Sequence, residues 1–261
     1  MEIAVSKDGT RLAYDVVGAG PALVYITGAT CFRKFRPILG DVKVFGTKFS
    51  VYNYDRRGRG DSGDTAPYAV ERELEDIEAI IDAAGGKAHL YGHSSGAVLA
   101  LEAALRMPDK VDRVVIYDAP YVHDETERRS YRELAEKVAG LLSDEQNGRA
   151  LKVFLRGIGM PAPFVALLPA FPGWKSMKAL APTLRYDIGL TEEVPPLDRL
   201  AKIDVPVCIS VGAKNPVGLH HVAEQLAKTI PHSTHRVIDG QDHMVSAKVL
   251  LPVLEEHLTA R

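Results

Sequence analysis

Five residues, Gly92-His93-Ser94-Ser95-Gly96, set a serine between glycines placed two before and two after it. They follow the short strand-like run His89-Leu90-Tyr91 and open a run of small and apolar residues, Ala97-Val98-Leu99-Ala100-Leu101. A serine on a sharp strand-to-helix turn is a nucleophile elbow: the strain of the turn lifts the hydroxyl clear of the sheet edge. A Cβ at either glycine would meet the neighbouring strand or the helix. The chemistry expected of Ser94 is attack on a carbonyl carbon. A serine hydroxyl alone is a poor nucleophile, so the site also needs a base, a group that orients the base, and donors for the oxyanion. The glycine spacing centres on Ser94 and not on Ser95, which is assigned a backbone role: its amide, at a helix N-terminus, can face the oxyanion.

Of nine histidines, His243 is the one in a late loop after a strand, in Asp239-Gly240-Gln241-Asp242-His243-Met244. It is the expected base. His93 adjoins the nucleophile, but successive side chains point apart, so it is expected to shape the elbow. The orienting acid has two candidate positions. The segment Gly212-Ala213-Lys214-Asn215-Pro216 holds no carboxylate; Asn215 stands where an aspartate is expected. Asparagine can accept the imidazole N–H and hold the tautomer, but it cannot stabilise an imidazolium by charge. One strand earlier, Asp118 falls just past Val115-Ile116-Tyr117 and is the favoured acid. Asp242 adjoins His243 too closely to reach its Nδ1, and Asp239 is a weaker candidate. For the oxyanion, the Ser95 amide is expected to be joined by the Ala29 amide in Thr27-Gly28-Ala29-Thr30. Cys31, with no partner base in evidence, reads as a small buried residue.

The segment Tyr54-Asp55-Arg56-Arg57-Gly58-Arg59-Gly60-Asp61-Ser62-Gly63 is dense in glycine and arginine, yet lacks the spacing and Lys-Ser/Thr ending of a phosphate loop. It is expected to be a tight turn pinned by pairing of Asp55 with the arginines.

Regular elements must place these residues. Strands are expected at 2–6, 11–17, 22–27, 49–54, before Ser94, and at 111–117, 206–211 and 234–238. Between 70 and 81 the apolar residues Val70, Leu74, Ile77, Ile80 and Ile81 keep helical periodicity, and Gly85-Gly86 stops it. Further helices are expected after Ser94, at 220–229 and at 247–258. Strands alternating with helices imply a mostly parallel α/β sheet covered on both faces, with ligands at the carboxyl ends of the strands. Every candidate residue falls just after a strand. From 121 to 200 no buried strand is evident; helical stretches at 125–142, 144–156 and 174–185 are interleaved with prolines, a helical insertion over a core formed by 1–120 and 201–261. Its apolar residues Phe164, Val165, Leu167, Leu168, Phe171, Trp174 and Met177 have spacing expected of the insertion's own core.

The 261 residues suit one large domain or one domain with an insertion, and 46% apolar content supports a sizeable core. A net charge of −2 with both signs interspersed argues against nucleic acid. No apolar run is long enough to span a bilayer. The start, Met1-Glu2-Ile3-Ala4-Val5-Ser6, has no signal-peptide character, so a cytoplasmic location is expected. Two distant cysteines give neither a disulfide framework nor zinc spacing.

The elbow, the Asp-Arg-Arg-Gly-Arg-Gly-Asp-Ser run (55–62), the Thr27-Gly28 turn and Gly240-Gln241-Asp242-His243, taken in order, resemble an α/β-hydrolase over nearly the whole chain. The resemblance implies an eight-stranded sheet, a helical cap after the sixth strand and a serine triad ending in His243. Two residues depart from the family pattern: Thr27 replaces a common histidine, and Asn215 occupies the usual acid position. Some members carry the acid after the preceding strand, at the position of Asp118. The expected reaction is hydrolysis of a small, moderately apolar ester or related acyl compound, a small-molecule substrate, with no metal or organic cofactor implied. The fold also hosts lyases, C–C hydrolases, perhydrolases and cofactor-free oxygenases. Asn215 and Thr27 keep open a second class, a ligand-binding protein with a degenerate triad.

Overall fold

In a computed structural model that describes residues 1–122, 125–192 and 197–260, the chain forms an eight-stranded sheet. A hairpin opens it: β1 (Glu2–Val5) turns through Asp8-Gly9 into β2 (Arg11–Val17), and the two pair antiparallel. β3 (Ala22–Ile26) follows, then α1 (Arg36–Phe45), β4 (Ser50–Tyr54), α2 (Val70–Ala83), β5 (Ala88–His93), α3 (Ser95–Arg106) and β6 (Val111–Tyr117). After an insertion come β7 (Val207–Gly212), α-helix 217–229, β8 (Ser233–Ile238) and α-helix 247–258. The spatial order is β1-β2-β4-β3-β5-β6-β7-β8, with β2 antiparallel to both its neighbours and β3 to β8 parallel.

The insertion between β6 and β7 carries α4 (Glu125–Ser143), α5 (Asn147–Gly157), α6 (Ala162–Leu167), α7 (Trp174–Ala179) and α8 (Leu184–Glu192). The two C-terminal helices are therefore α9 (Val217–Thr229) and α10 (Ala247–Leu258). The helix expected over 174–185 is two: α7 ends before a 3₁₀ turn, Ala181–Thr183, and α8 starts after it. Pro182 has no N–H to continue the helical ladder. Helices α1 and α6 have no counterpart among the expected helices; each carries a proline near its start, and α6 has only six residues.

Parallel strands buried on both faces explain the continuous apolar runs. Val24 and Ile26 of β3 face a core shared with Ile77 of α2, Leu99 of α3 and Val222 of α9. Leu23 and Tyr25, alternating with them, face a second core with Val42 of α1 and Leu250 of α10. The insertion has its own core, from Val138, Leu151, Phe154, Val165, Leu168, Leu184 and Ile188, and Ala29 of the β3 loop packs against it. Trp174 and Met177 lie partly buried on this core, but Phe164, Leu167 and Phe171 are exposed, contrary to their expected place inside it. In a helix as short as α6 one face meets the core, and Val165 takes that place.

Among the described residues no helix is long and apolar enough to cross a membrane. Both cysteines are free thiols.

Candidate active site

Ser94 links β5 to α3 with φ 56° and ψ −126°, a conformation strongly disfavoured for a residue with a side chain. Its surroundings impose that turn. The Ser94 amide donates to the Tyr117 carbonyl at 2.9 Å, and the Ala97 amide donates to the Ser94 carbonyl at 2.8 Å. A Cβ on Gly92 would stand 2.7 Å from Ala97 Cα and 2.8 Å from Ala100 Cβ, inside α3. One on Gly96 would stand 2.7 Å from the Ile26 carbonyl carbon and 3.0 Å from the Thr27 oxygen, at the end of β3. The helix and the strand thus approach so closely that only glycine fits at either position.

Asp118 occupies the same sheet edge one strand over. His93 pairs with Tyr117 across β5 and β6, so Ser94 and Asp118 are the residues that follow a paired couple. Asp118 is also left-handed, with φ 52°, and its amide donates to the Ser210 carbonyl at 3.0 Å. Its buried carboxylate is fully engaged. The Gly212 amide donates to Oδ1 at 3.2 Å, and the Asn215 side-chain amide donates to Oδ2 at 2.6 Å. His243 Nδ1 lies 3.0 Å from the same Oδ2. A carboxylate partner makes Nδ1 the protonated nitrogen and leaves Nε2 with a free lone pair. His243 is 37% exposed while Asp118 is sealed, so the ring is anchored on one edge and open elsewhere.

Of the two candidate orienting residues, Asp118 is the one brought to His243; Asn215 meets Asp118 instead. The reason is electrostatic as well as geometric. An aspartate at 215 would place a second carboxylate at hydrogen-bond distance from the first. An amide there donates a hydrogen bond and adds no charge. Asp242 turns back to accept the Met244 amide at 2.8 Å and takes no part in this cluster.

Two further side chains hold the histidine loop. Tyr117 Oη donates to the Asp242 carbonyl at 2.6 Å. His93 Nε2 donates to the His243 carbonyl at 2.9 Å, and the two rings meet at a tilt of 35° with centroids 4.9 Å apart. Burial, reinforced by the neighbouring His243, pushes His93 down to about 3, so it is neutral at ordinary pH. Burial pushes the Cys31 thiol the other way, up to about 11, which keeps it from being a thiolate nucleophile.

The β3 loop lies against the serine: a Cβ on Gly28 would fall 2.9 Å from Ser94 Cβ and 3.5 Å from Ser94 Oγ. Ala29 follows directly. The Ser95 hydroxyl points away from any reacting group and donates to Asp187 Oδ1 at 2.7 Å. That leaves Ser95 its amide, at the start of α3, as the part free to meet an anion.

The arginine-rich turn differs from its expected pairing. Asp55 does pin the turn, accepting the Asp61 amide at 2.9 Å, but its ionic partner is Arg33, not Arg56, Arg57 or Arg59. The three arginines point away from Asp55 to carboxylates elsewhere. Arg57 pairs with Asp76 of α2 and Asp8, Arg56 with Glu73 of α2 and Asp187 of α8, and Arg59 with Asp187. All three are buried, and a buried guanidinium persists where a carboxylate offsets its charge; Asp55, taken up by Arg33, cannot do this for three arginines. Arg56, Arg59 and Asp187 were missed as site-linked residues. The signal in the sequence is the run itself, three arginines within four positions.

Against this geometry, three similarities stand out. The model of the alpha/beta hydrolase family matches residues 18–249. An alpha/beta hydrolase from Sphaerobacter thermophilus, known from its crystal structure, is 38% identical, covers 99% of this chain and 100% of its own, and superposes with a TM-score of 0.89. A protein of Azorhizobium caulinodans named "Putative carbamate hydrolase RutD" is 27% identical over 247 residues, 90% of this chain and 89% of that one.

Proposed function

The chain belongs to the alpha/beta hydrolase family and is a hydrolase, and from that premise we propose that it is a serine hydrolase of small, moderately apolar esters or related acyl compounds, working through Ser94, His243 and Asp118. The observation that carries this reading is the Asp118–His243 contact of 3.0 Å on the sheet edge where Ser94 holds its strained turn.

Each residue then has a role set by its surroundings. His243 Nε2 takes the Ser94 proton as Oγ attacks the carbonyl carbon. Asp118 keeps Nδ1 protonated and stabilises the imidazolium that forms. The Ala29 and Ser95 amides receive the oxyanion of the tetrahedral intermediate. His243 returns the proton to the leaving alcohol, which departs and leaves an acyl group on Ser94. Water, deprotonated by the same histidine, attacks that acyl group, and the acid is released with Ser94 restored. The sum is ester plus water giving acid plus alcohol.

The relative named for carbamates favours a second substrate for the same chemistry. A carbamate ester presents the same carbonyl with nitrogen attached: its alcohol leaves with the proton from His243, Ser94 keeps the carbamoyl group, and water releases it as the carbamic acid.

A fluorophosphonate, which is attacked by an activated serine, tests the reading. Stoichiometric labelling of the wild-type protein, absent in Ser94→Ala, is expected. A folded wild-type protein that takes up no label would overturn the proposal. Aryl esters of graded acyl length, run beside matched aryl carbamates, separate the two substrate classes.

A further inference from the structure

Helix α8 of the insertion sends one carboxylate, Asp187, down into the buried region behind the elbow, where it is 2% exposed. Arg59 Nη2 donates to both of its oxygens, at 2.9 and 2.7 Å, and Arg56 Nη1 donates to Oδ1 at 2.8 Å. Burial by itself would raise the Asp187 carboxyl, but the charges of Arg59 and Arg56 and the Ser95 hydrogen bond outweigh it and hold it below the usual carboxylate range. Asp187 is therefore an anion inside the protein.

What those arginines do with their other N–H groups is informative. Arg59 Nη1 donates to the Gly28 carbonyl at 2.7 Å and to the Cys31 carbonyl at 3.3 Å. Arg56 Nη1 reaches the Thr27 carbonyl at 3.2 Å. The Gly28 carbonyl and the Ala29 N–H are opposite ends of one planar peptide unit and point in opposite directions. A guanidinium that grips the carbonyl end therefore sets where the amide end points. It also draws electrons toward the oxygen, which makes the amide hydrogen a stronger donor. The second donor residue, Ser95, is tied by its hydroxyl to the same Asp187.

We propose that Arg59 and Asp187 are positioning residues of the oxyanion site. Asp187 orients Arg59, Arg59 orients the Gly28–Ala29 peptide, and Ser95 is anchored to the same carboxylate. Neither residue touches the reacting atoms. The inference rests on the reading that the Ala29 and Ser95 amides receive the oxyanion. It makes the insertion part of the catalytic apparatus, because the charge that organises the donors is carried on α8. Ala29 also packs on the insertion's apolar core, a second tie between loop and insertion.

Two readouts test this separately from the serine-hydrolase reading. The sequence contains four Gly–Ala pairs, at Gly18-Ala19, Gly28-Ala29, Gly96-Ala97 and Gly212-Ala213. Protein carrying ¹³C-carbonyl glycine and ¹⁵N-alanine therefore gives a correlation spectrum of those peptides alone, with the Gly28–Ala29 peak assigned by its loss in Ala29→Gly. In Arg59→Lys and Asp187→Asn this peak is expected to move, while the Gly18–Ala19 and Gly212–Ala213 peaks stay and report an intact fold. An unmoved Gly28–Ala29 peak overturns the proposal. Should Asp187→Asn fail to fold, Arg59→Lys, which keeps the charge, decides the matter.

The second readout is turnover of p-nitrophenyl acetate, normalised to fluorophosphonate-reactive sites. Both variants are expected to lose about tenfold or more in kcat with KM changed less than about twofold, the pattern of an interaction made only in the transition state. Tyr186→Phe is the control. It removes another tie of α8 to the core, the Tyr186 hydroxyl to Asp64 Oδ2 at 2.6 Å, and keeps the ring stacked on Tyr68. It is expected to retain wild-type kcat. An equal loss in Tyr186→Phe, or variants changed in KM alone, overturns the proposal. A wild-type protein that neither takes label nor turns over ester removes the serine-hydrolase reading, and the carbonyl spectrum still decides whether Arg59 sets the peptide.

Discussion

Asp118 Oδ2 lies 3.0 Å from His243 Nδ1, although 125 residues separate the two in the chain. The contact is made by strand register. Asp118 follows the last residue of β6, and its carboxylate is held by the amide of Gly212 at the end of β7, one strand over. The histidine loop after β8 closes over that edge.

Replacing Asp118 with asparagine is expected to lower ester turnover by roughly 10³–10⁴-fold, because the amide can present the wrong group to Nδ1 and carries no charge. Asn215→Ala removes one donor to the same oxygen and is expected to cost about tenfold or less. Steady-state kcat of the two variants on one aryl ester checks the order. Equal, small losses would rule out Asp118 as the orienting acid.

Close approach at the elbow makes a stability prediction. Gly92→Ala and Gly96→Ala each push a methyl group into α3 or the end of β3, and each is expected to cost about 1–3 kcal/mol or more. Gly140 lies within α4 with nothing within 4 Å of an added Cβ, so Gly140→Ala is expected to stabilise by about 0.5–1 kcal/mol. Chemical denaturation of the three variants is the measurement, and an elbow glycine that tolerates alanine would show that the helix and strand are not in close contact.

His93 titrates far below its ordinary value of 6.5 because burial, aided by His243, excludes the charge. The unfolded chain takes up a proton below pH 6.5 that the folded protein refuses until about 3. Stability from this group is therefore full above 6.5 and is lost as pH falls through that window. His93→Phe is expected to be less stable than wild type at pH 8, by about 1 kcal/mol, for want of the bond to the His243 carbonyl. That difference should shrink or reverse by pH 5. Thermal unfolding at the two pH values reads it, and a constant difference would contradict a buried neutral histidine.

Asp41 of α1 shows the opposite sign. Burial raises it to about 6, partly opposed by the hydrogen bond donated by the Tyr25 hydroxyl at 3.1 Å. Here the folded protein keeps a proton that the unfolded chain releases above the ordinary 3.8, so stability declines as pH rises from 3.8 to about 6 and is level above. Asp41→Asn keeps the acceptor without the charge. It is expected to be more stable than wild type at pH 8, on the order of 1–2 kcal/mol, and to lose much of that advantage by pH 4.5. A gain independent of pH would point to another cause.

Local sequence determined much of this protein. Glycine spacing around Ser94 specified the elbow, since only a residue without Cβ fits where α3 meets β3. Apolar runs of strand length specified buried parallel strands, and the periodicity from Val70 to Ile81 specified α2, because burial on two faces or one leaves distinct patterns. Position in that alternation placed His243 and the Gly28 loop on one edge. Other features were decided by tertiary structure. The choice between Asp118 and Asn215 turned on which side chain the β6–β7 register aims at His243, and no local pattern encodes that aim. The partners of Arg56, Arg57 and Arg59 lay hidden for the same reason: Asp187 is 128 residues from Arg59 and is one acid on an otherwise unremarkable helix. Coulomb attraction depends on distance in space, and in the buried interior an arginine's partner is whichever carboxylate the fold carries to it.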